Sequence, residues 1–406
     1  MQIIDLEGKP YNRGYEQGWR ARGQFEKMLE EFFGSELWKE NGPANVPRLF
    51  VRLGLGLAGS VMTRGLVKKY LPLQHERING IADGLNVNRA FGWGIQFLEV
   101  MFCAAGKSLQ APDVPGGCTQ VHATPAATAA GRPLMGRNYD FPNLLLPYQL
   151  VRRDVPDAPD RLATTTVCQI ALLGAHQGVN EAGLAVAANN ARLWKGEDLK
   201  LKGIPYQMLL LEILETCRTT AEAVRFITEF PARANSGFFG IMDEKGDCAL
   251  VEFTASRSMV RRPDDSGVLA QSNHYHAMKD ANLPDGTFWT VQGMEGLEYA
   301  TSTKARFNAA DRLLREAAGG ITVDTLKSIL RDHSANNGAG SDCTVCCHGD
   351  SGSTLASMII EPDSRTLWIA EGTPCTAEYV KVPFRTRASA AAAEEEKKKE
   401  EAIVAG

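Results

Sequence analysis

Pro115-Gly116-Gly117-Cys118-Thr119 and, after a short interval, Gly136-Arg137-Asn138-Tyr139-Asp140-Phe141 are the two stretches that say most about how this chain folds. The first is a Gly- and Pro-containing loop, Ala111 to Gly117, that runs into a cysteine. Such a loop leaves the backbone exposed and open to strain. If the chain cuts itself between Gly117 and Cys118, the new terminus carries a thiol and a free α-amino group on one residue, a nucleophile with its own base. An α-amine of pKa about 7.7 and a thiol of about 8.5 can exchange a proton near neutrality without a distant partner.

The texture changes at Cys118 to short alternating runs separated by turns, in Thr119 to His122, Leu134 to Tyr139 and Thr164 to Ile170, which predict strands. A hairpin of residues 118–122 and 133–140, closed by the turn formers from Thr124 to Gly131, sets Arg137 opposite Cys118. Further strands are expected at Leu184 to Ala188, Phe238 to Met242, Ala249 to Phe253, Leu355 to Ile360 and Thr366 to Ala370. Helical periodicity covers Tyr11 to Phe33, Gln74 to Leu85, Tyr206 to Cys217, Thr220 to Phe230 capped by Thr219, Thr303 to Ala317 and Asp324 to Asp332. Strand clusters alternating with helix pairs predict sheets covered by helical layers.

Composition excludes several function classes. A net charge of −4, with Lys397 to Lys399 fenced by glutamates, leaves nothing to hold a phosphate backbone or an anionic membrane, so neither nucleic acid nor membrane is an expected partner. Nine cysteines without a regular framework fit free thiols in a reducing compartment, and the N-terminus lacks a basic and apolar signal, so a cytoplasmic location is expected. The most apolar stretch, Leu49 to Leu66, is interrupted by Arg52, Arg64 and four glycines. It reads as too short to span a bilayer and as a buried or ligand-lining helix, with a surface amphipathic helix as the second reading. From about Arg385 the chain becomes alanine-rich and then Glu/Lys-rich, the composition of a tail that buries nothing.

The ordered motifs Gly117-Cys118-Thr119, Gly136-Arg137-Asn138-Tyr139-Asp140-Phe141, Gly178-Val179-Asn180-Glu181-Ala182-Gly183-Leu184, Ser272-Asn273-His274, Arg306-Phe307 and Thr354-Leu355-Ala356-Ser357 resemble a known family. It is the penicillin acyltransferase-like cysteine peptidases of the N-terminal-nucleophile hydrolase superfamily, related to choloylglycine hydrolases and penicillin V acylases. The similarity covers about residues 1 to 384. It implies an α+β fold, a four-layer αββα sandwich of antiparallel sheets, with residues 1–117 retained as a mostly helical leader subunit, residues 118–384 forming the catalytic subunit and residues 385–406 a low-complexity tail.

The resemblance also implies roles. Cys118 is nucleophile and α-amino base, Arg137 favours its thiolate, and Asp140 orients the new amine. Asn190 is the chosen oxyanion donor, with Asn189 its near competitor. Asn273 and Arg306 complete the surroundings. Strict alternation points Asp140 away from the face bearing Arg137, so its role requires a bulge or strand end before Pro142. The implied reaction is hydrolysis, or acyl transfer, of a non-protein linear amide through a thioester, with no cofactor and a small-molecule amide as partner. Acyl and amine identity, and assembly into a homo-oligomer, are left open.

Rival readings attach to single residues. His274 beside Asn273 invites an uncleaved Cys–His thiol hydrolase, although a structural histidine is the commoner fate. A binding protein that kept the fold and lost the chemistry is the other rival. Cys343-x-x-Cys346-Cys347-His348 invites zinc, but a closed site needs four ligands, adjacent cysteines on a strand point opposite ways, and no second ligand pair is evident. Buried thiols and no metal are therefore expected there.

Overall fold

The structure, a computed structural model, describes residues 1–35, 38–39, 46–104, 117–191, 198, 200–283, 285–287, 297–349 and 352–390. The expected cleavage loop thus lies outside the described residues except for Gly117.

Two sheets carry the architecture. The first has eight strands, which lie side by side in the order β1 (Gln2–Gly8), β4 (Gln149–Pro156), β5 (Thr164–Gln169), β6 (Gln177–Asn180), β7 (Ala185–Asn190), β8 (Gly237–Met242), β9 (Cys248–Phe253) and β10 (Ser258–Arg261). The second has six, in the order β11 (Val268–Gln271), β2 (Gly117–Ala123), β3 (Leu134–Pro142), β12 (Gly352–Glu361), β13 (Thr366–Glu371) and β14 (Val380–Val382). All pairings are antiparallel except β1 with β4.

Alternation along the strands sorts side chains into three cores. Ala185 and Ala187 of β7 face Cys118, Tyr139 and Met358 of the second sheet in a core between the sheets. Val186 and Ala188 face the other way, onto helices. That outer layer consists of α1 (Pro10–Gly34), α2 (Arg48–Tyr70), α3 (Pro72–Gly84), α4 (Arg89–Ala104), α5 (Tyr206–Thr216) and α6 (Thr220–Glu229). On the far face of the six-stranded sheet, α7 (Tyr299–Ala317) and α8 (Val323–Leu330) cover Val121, Ala270 and Ile359. Four layers result, αββα, as expected. Thr219 caps α6 by accepting from Glu222 N, also as expected.

No sequence pattern announces β4, whose Gln149, Arg152 and Asp154 look like surface residues but are buried. Arg13, Arg77 and Arg152 surround Asp154, and Arg13 and Arg77 also reach Glu215, every side chain at 1% exposure or less. The network ties β4 to α1, α3 and α5. α1 and α3 cross closely enough that a methyl group at Gly14 would strike the Arg77 carbonyl.

Two expectations are corrected. Leu49 to Leu66 is not a buried segment: it lies in α2, which runs through a π-helical stretch at Ser60–Arg64 and has only 22% of its most apolar window buried. Gly56 and Gly59 press on the α4 backbone, while Leu49, Phe50, Leu53, Leu57 and Val61 are exposed. By length and composition the 23-residue helix is apolar enough to cross a membrane, so the reading of the stretch as too short does not hold. The tail also starts later than Arg385. Arg385 pairs with Asp5 and Glu7, Arg387 donates to the carbonyls of Pro156, Ala158 and Arg161, and Ala390 is buried. Residues 391–406 lie outside the described residues.

Candidate active site

Cys118 is the second residue of β2, with its thiol in the core between the sheets and 3% exposed. The hairpin to β3 forms, but its register pairs Cys118 with Tyr139 and Arg137 with Gln120, not Arg137 with Cys118. The connection between the two strands holds a 3-10 segment, Pro125–Ala127, and is tied through Thr128 to Ile321 beyond α7. A shift of two residues preserves the face. Arg137 therefore still reaches the thiol, its Nη2 donating to Cys118 Sγ at 3.0 Å.

Each polar atom of Cys118 has a partner. Its backbone N, an amide here and the α-amine in a cleaved chain, donates to Asn273 Oδ1 at 2.9 Å. Its carbonyl accepts from Arg306 Nη1 at 2.8 Å and from Asn189 Nδ2 at 3.3 Å. Arg306 Nη2 also donates to Asn273 Oδ1 at 2.8 Å, and Asn273 Nδ2 donates to the Asn190 carbonyl at 2.9 Å. Those bonds fix the Asn273 amide with its oxygen toward Cys118 N. A β-carbon at Gly117 would collide with the Arg306 guanidinium, so glycine is what lets that arginine lie against the Gly117–Cys118 junction.

Asp140 sits where alternation alone puts it, on the opposite face from Arg137. The bulge expected before Pro142 in its own strand is absent; β3 runs unbroken from Leu134 to Pro142, and the irregularity lies in β12, between Thr354 and Ala356. Asp140 Oδ1 accepts from Thr354 Oγ1 at 2.7 Å, and Oδ2 is buried without a protein hydrogen-bond partner. Because a backbone nitrogen lies in the plane of the sheet, one residue can present its thiol to Arg137 on one face and its nitrogen to groups gathered from the other. No rotation of β3 is needed.

Asn189 and Asn190 separate. Asn189 shares the inter-sheet face with Ala187, accepts from Arg137 Nε at 3.2 Å and spends its NH2 on the carbonyls of Cys118, Gln271 and Ser272. Asn190, at the end of β7, is half-buried and contributes its backbone carbonyl to Asn273. His274 does not join Cys118. Its Nδ1 lies 3.1 Å from Ser272 Oγ and 3.0 Å from Thr303 Oγ1, and among the described residues no histidine is hydrogen-bonded to Cys118 Sγ.

Electrostatics favour a protonated resting thiol. Burial pushes the Cys118 pKa up, Arg137 pulls it down, Asp140 pushes it up, and the net direction is upward. Burial likewise raises Asp140 against the pull of Arg306, the Thr354 hydroxyl and Arg137. His176, stacked on Tyr139 at 4.4 Å, is held neutral, its pKa driven to about 3 by burial and then by Arg137. A thiol beside an arginine but still protonated needs a base, and in a chain cleaved before Cys118 the nitrogen of its own residue would be the adjacent one.

Four supports have no assignable role from sequence. Thr354 stands inside one of the motifs, where nothing marks its hydroxyl as the partner of Asp140. Thr303 accepts from Asn273 N at 2.9 Å, and Tyr299 OH donates to Asn273 O at 2.9 Å, so α7 holds this asparagine from both sides. The His176–Tyr139 stack joins two sheets and carries no sequence signal.

A model of the family described as acyl-coenzyme A:6-aminopenicillanic acid acyl-transferase matches residues 127–375, beginning downstream of Cys118 and including Arg137, Asp140, Asn190, Asn273 and Arg306. An uncharacterized protein of Archaeoglobus fulgidus is 28% identical over 200 residues, 45% of this chain; the match spans 32% of that relative. Among solved structures, a Caenorhabditis elegans ortholog of N-acylethanolamine-hydrolyzing acid amidase gives a TM-score of 0.43 at 15% identity, covering 61% of this chain and 93% of that one. Penicillin V acylase from Agrobacterium tumefaciens gives 0.41 at 16% identity, covering 66% and 86%. A mutant of conjugated bile acid hydrolase from Clostridium perfringens gives 0.39 at 15%, covering 66% and 97%.

Proposed function

Since this chain belongs to the acyl-coenzyme A:6-aminopenicillanic acid acyl-transferase family, we propose that it is a self-processed N-terminal-cysteine amidohydrolase or acyltransferase acting on a small linear amide. The carrying observation is that the thiol, nitrogen and carbonyl of Cys118 are each held by a different buried side chain: Arg137, Asn273 and Arg306.

In the first, self-directed step, Cys118 Sγ adds to the Gly117 carbonyl carbon, the C–N bond breaks, and the thiol proton ends on the departing nitrogen. Water then opens the thioester, giving a Gly117 carboxylate, a free thiol and the α-amine. In turnover, the amine takes the thiol proton as sulfur attacks the substrate carbonyl, and returns it to the leaving amine. Water or a second amine resolves the acyl-enzyme. Arg137 stabilises the thiolate, and Asn273 Oδ1 accepts an N–H of the amine. Asp140 Oδ2, buried and unpaired, is available to the protonated amine. Asn190, at the end of β7, is kept as the proposed oxyanion donor, with Asn189, whose NH2 faces the carbonyls of Cys118, Gln271 and Ser272, as its competitor. Tyr139 and Phe141, stacked at 5.5 Å, supply an apolar wall for the acyl group.

Intact mass tests the reading. Wild-type protein should resolve into residues 1–117 and 118–406, Cys118→Ala should stay whole, and a panel of N-acyl amides should acylate Cys118 by one acyl mass. A wild-type chain that stays whole yet turns over amides would support the Cys–His hydrolase instead; a cleaved chain that no amide or thiol-directed probe labels would support the binding protein.

A further inference from the structure

The fold assembles a second group of cysteines and histidines away from Cys118. Among the described residues, His333, Cys346, His348 and Cys375 offer four donor atoms that all lie within 4.8 Å of one another. His348 Nε2 is 3.3 Å from both Cys346 Sγ and Cys375 Sγ. The imidazoles of His333 and His348 meet edge to face, with centroids 4.9 Å apart, and His333 Nε2 is buried without a protein hydrogen-bond partner. We propose that these four residues form a structural zinc site.

The dimensions suit that ion. Zinc bonds of about 2.0–2.1 Å to imidazole and about 2.3 Å to thiolate, arranged tetrahedrally, separate neighbouring donors by about 3.3–3.8 Å. The two sulfur–nitrogen distances fall at that edge length, and a small inward movement of the others closes the tetrahedron. Two thiolates and two neutral imidazoles compensate a divalent cation fully, with the two thiol protons released to solvent on binding. Soft sulfur donors disfavour magnesium and calcium, and four protein ligands leave no open position, as in a structural rather than a catalytic site.

The sequence pattern predicts that adjacent Cys346 and Cys347 point opposite ways, as they do, and shows no second ligand pair, which is the part the structure corrects. Cys346 and His348 face inward, whereas the intervening Cys347 points elsewhere, its Sγ 3.8 Å from Asp342 Oδ1. The missing pair comes from His333, after α8, and Cys375, after β13, which no local pattern joins. Backbone bonds from Cys346 N to Asp332 O (3.1 Å) and from His348 N to Ser341 O (3.2 Å) hold the loop in place. A β-carbon at Gly340 would collide with the His348 ring, so this glycine leaves room for the ligand.

The site would pin the segment that leads to Asp140. Cys347, between two ligands, donates its N–H to Thr354 Oγ1 at 3.0 Å, its carbonyl accepts from Thr354 N at 3.1 Å, and Thr354 Oγ1 donates to Asp140. This consequence rests on the proposed function; the zinc site does not.

Metal analysis of the full-length protein, purified under reducing conditions and supplied with zinc chloride, should find about one zinc per chain. Cys375→Ser should lose most of it and melt at lower temperature, while Cys343→Ser should retain it. Should Cys375→Ser fail to fold, cobalt substitution of the wild type provides the second measurement: absorption of tetrahedral cobalt with thiolate charge transfer supports the site. Protein that takes up neither metal, or in which mass analysis finds Cys346 and Cys375 joined as a disulfide under the same reducing conditions, overturns the proposal. The readouts are metal content and spectrum, so they are independent of whether Gly117–Cys118 is cleaved.

Discussion

Replacing Arg137 by Gln should shift the Cys118 thiol well above its wild-type pKa. The guanidinium lies 3.0 Å from Sγ and both groups are buried. At that separation and an effective dielectric of about 20, a full charge stabilises a thiolate by about 5 kcal/mol. Arg306 and the Asp140 backbone amide also favour the thiolate and remain in the variant. Retaining half of the pair energy as the net loss gives about 2.5 kcal/mol, or about two pKa units. Since the resting thiol is already raised by burial, the shift is upward, and attack on an amide should slow about a hundredfold at neutral pH. The assay is the pH dependence of Cys118 alkylation by iodoacetamide, read by peptide mass on chains first sorted by intact mass into cleaved and whole. Arg137→Lys keeps the charge and should recover part of the shift; loss of the bond to Asn189 affects stability in both variants. An alkylation profile within about half a unit of wild type in Arg137→Gln, compared in the same processing state, would refute the electrostatic role.

Thr354→Val removes the hydroxyl that lowers the Asp140 pKa, so Asp140 should be protonated over a wider range and the acid limb of the kcat/KM profile should move to higher pH; Thr354→Ser should restore it. Gly117→Ala should slow self-cleavage at least about tenfold by displacing Arg306, seen as whole chain persisting on incubation, while material that does cleave should turn over normally because position 117 has left the nucleophile. Asp154 is pushed up by burial, but Arg77, Arg152 and Arg13 outweigh this and hold it at about 2. Its folded pKa lies below the unfolded value of about 3.9, so the associated stability is present above that value and lost as pH falls through about 2. Asp154→Asn, which leaves three buried arginines short of a partner, should cost about 3–5 kcal/mol in denaturant melts at neutral pH and flatten the acid dependence.

Much of the site is legible in the sequence because its residues are close together or carry distinctive motifs. Cys118, Arg137 and Asp140 lie on one hairpin, and alternation fixes their faces even though the observed register differs by two residues from the expected one. That difference has a tertiary cause: the turn is held through Thr128 to Ile321, which no count of turn residues reveals. The contrast between Asn189 and Asn190 is hidden because strand parity at the end of β7 depends on its pairing with β8. β4 is invisible because Arg152 and Asp154 are hydrophilic residues buried only by virtue of partners on three helices. α2 misleads in the other direction, since apolarity alone suggests burial while Gly56 and Gly59 give its packed face. The zinc ligands arrive from separate elements around α8, β12 and β13, and proximity of that kind is written only in the fold.

N-terminal sequencing of fully active protein separates a self-cleaved enzyme from an uncleaved one. A second terminus beginning Cys118-Thr119-Gln120, in amount equal to the active sites titrated by a thiol-directed amide probe, is the result expected. Full activity from a chain whose Gly117–Cys118 bond is intact would contradict it.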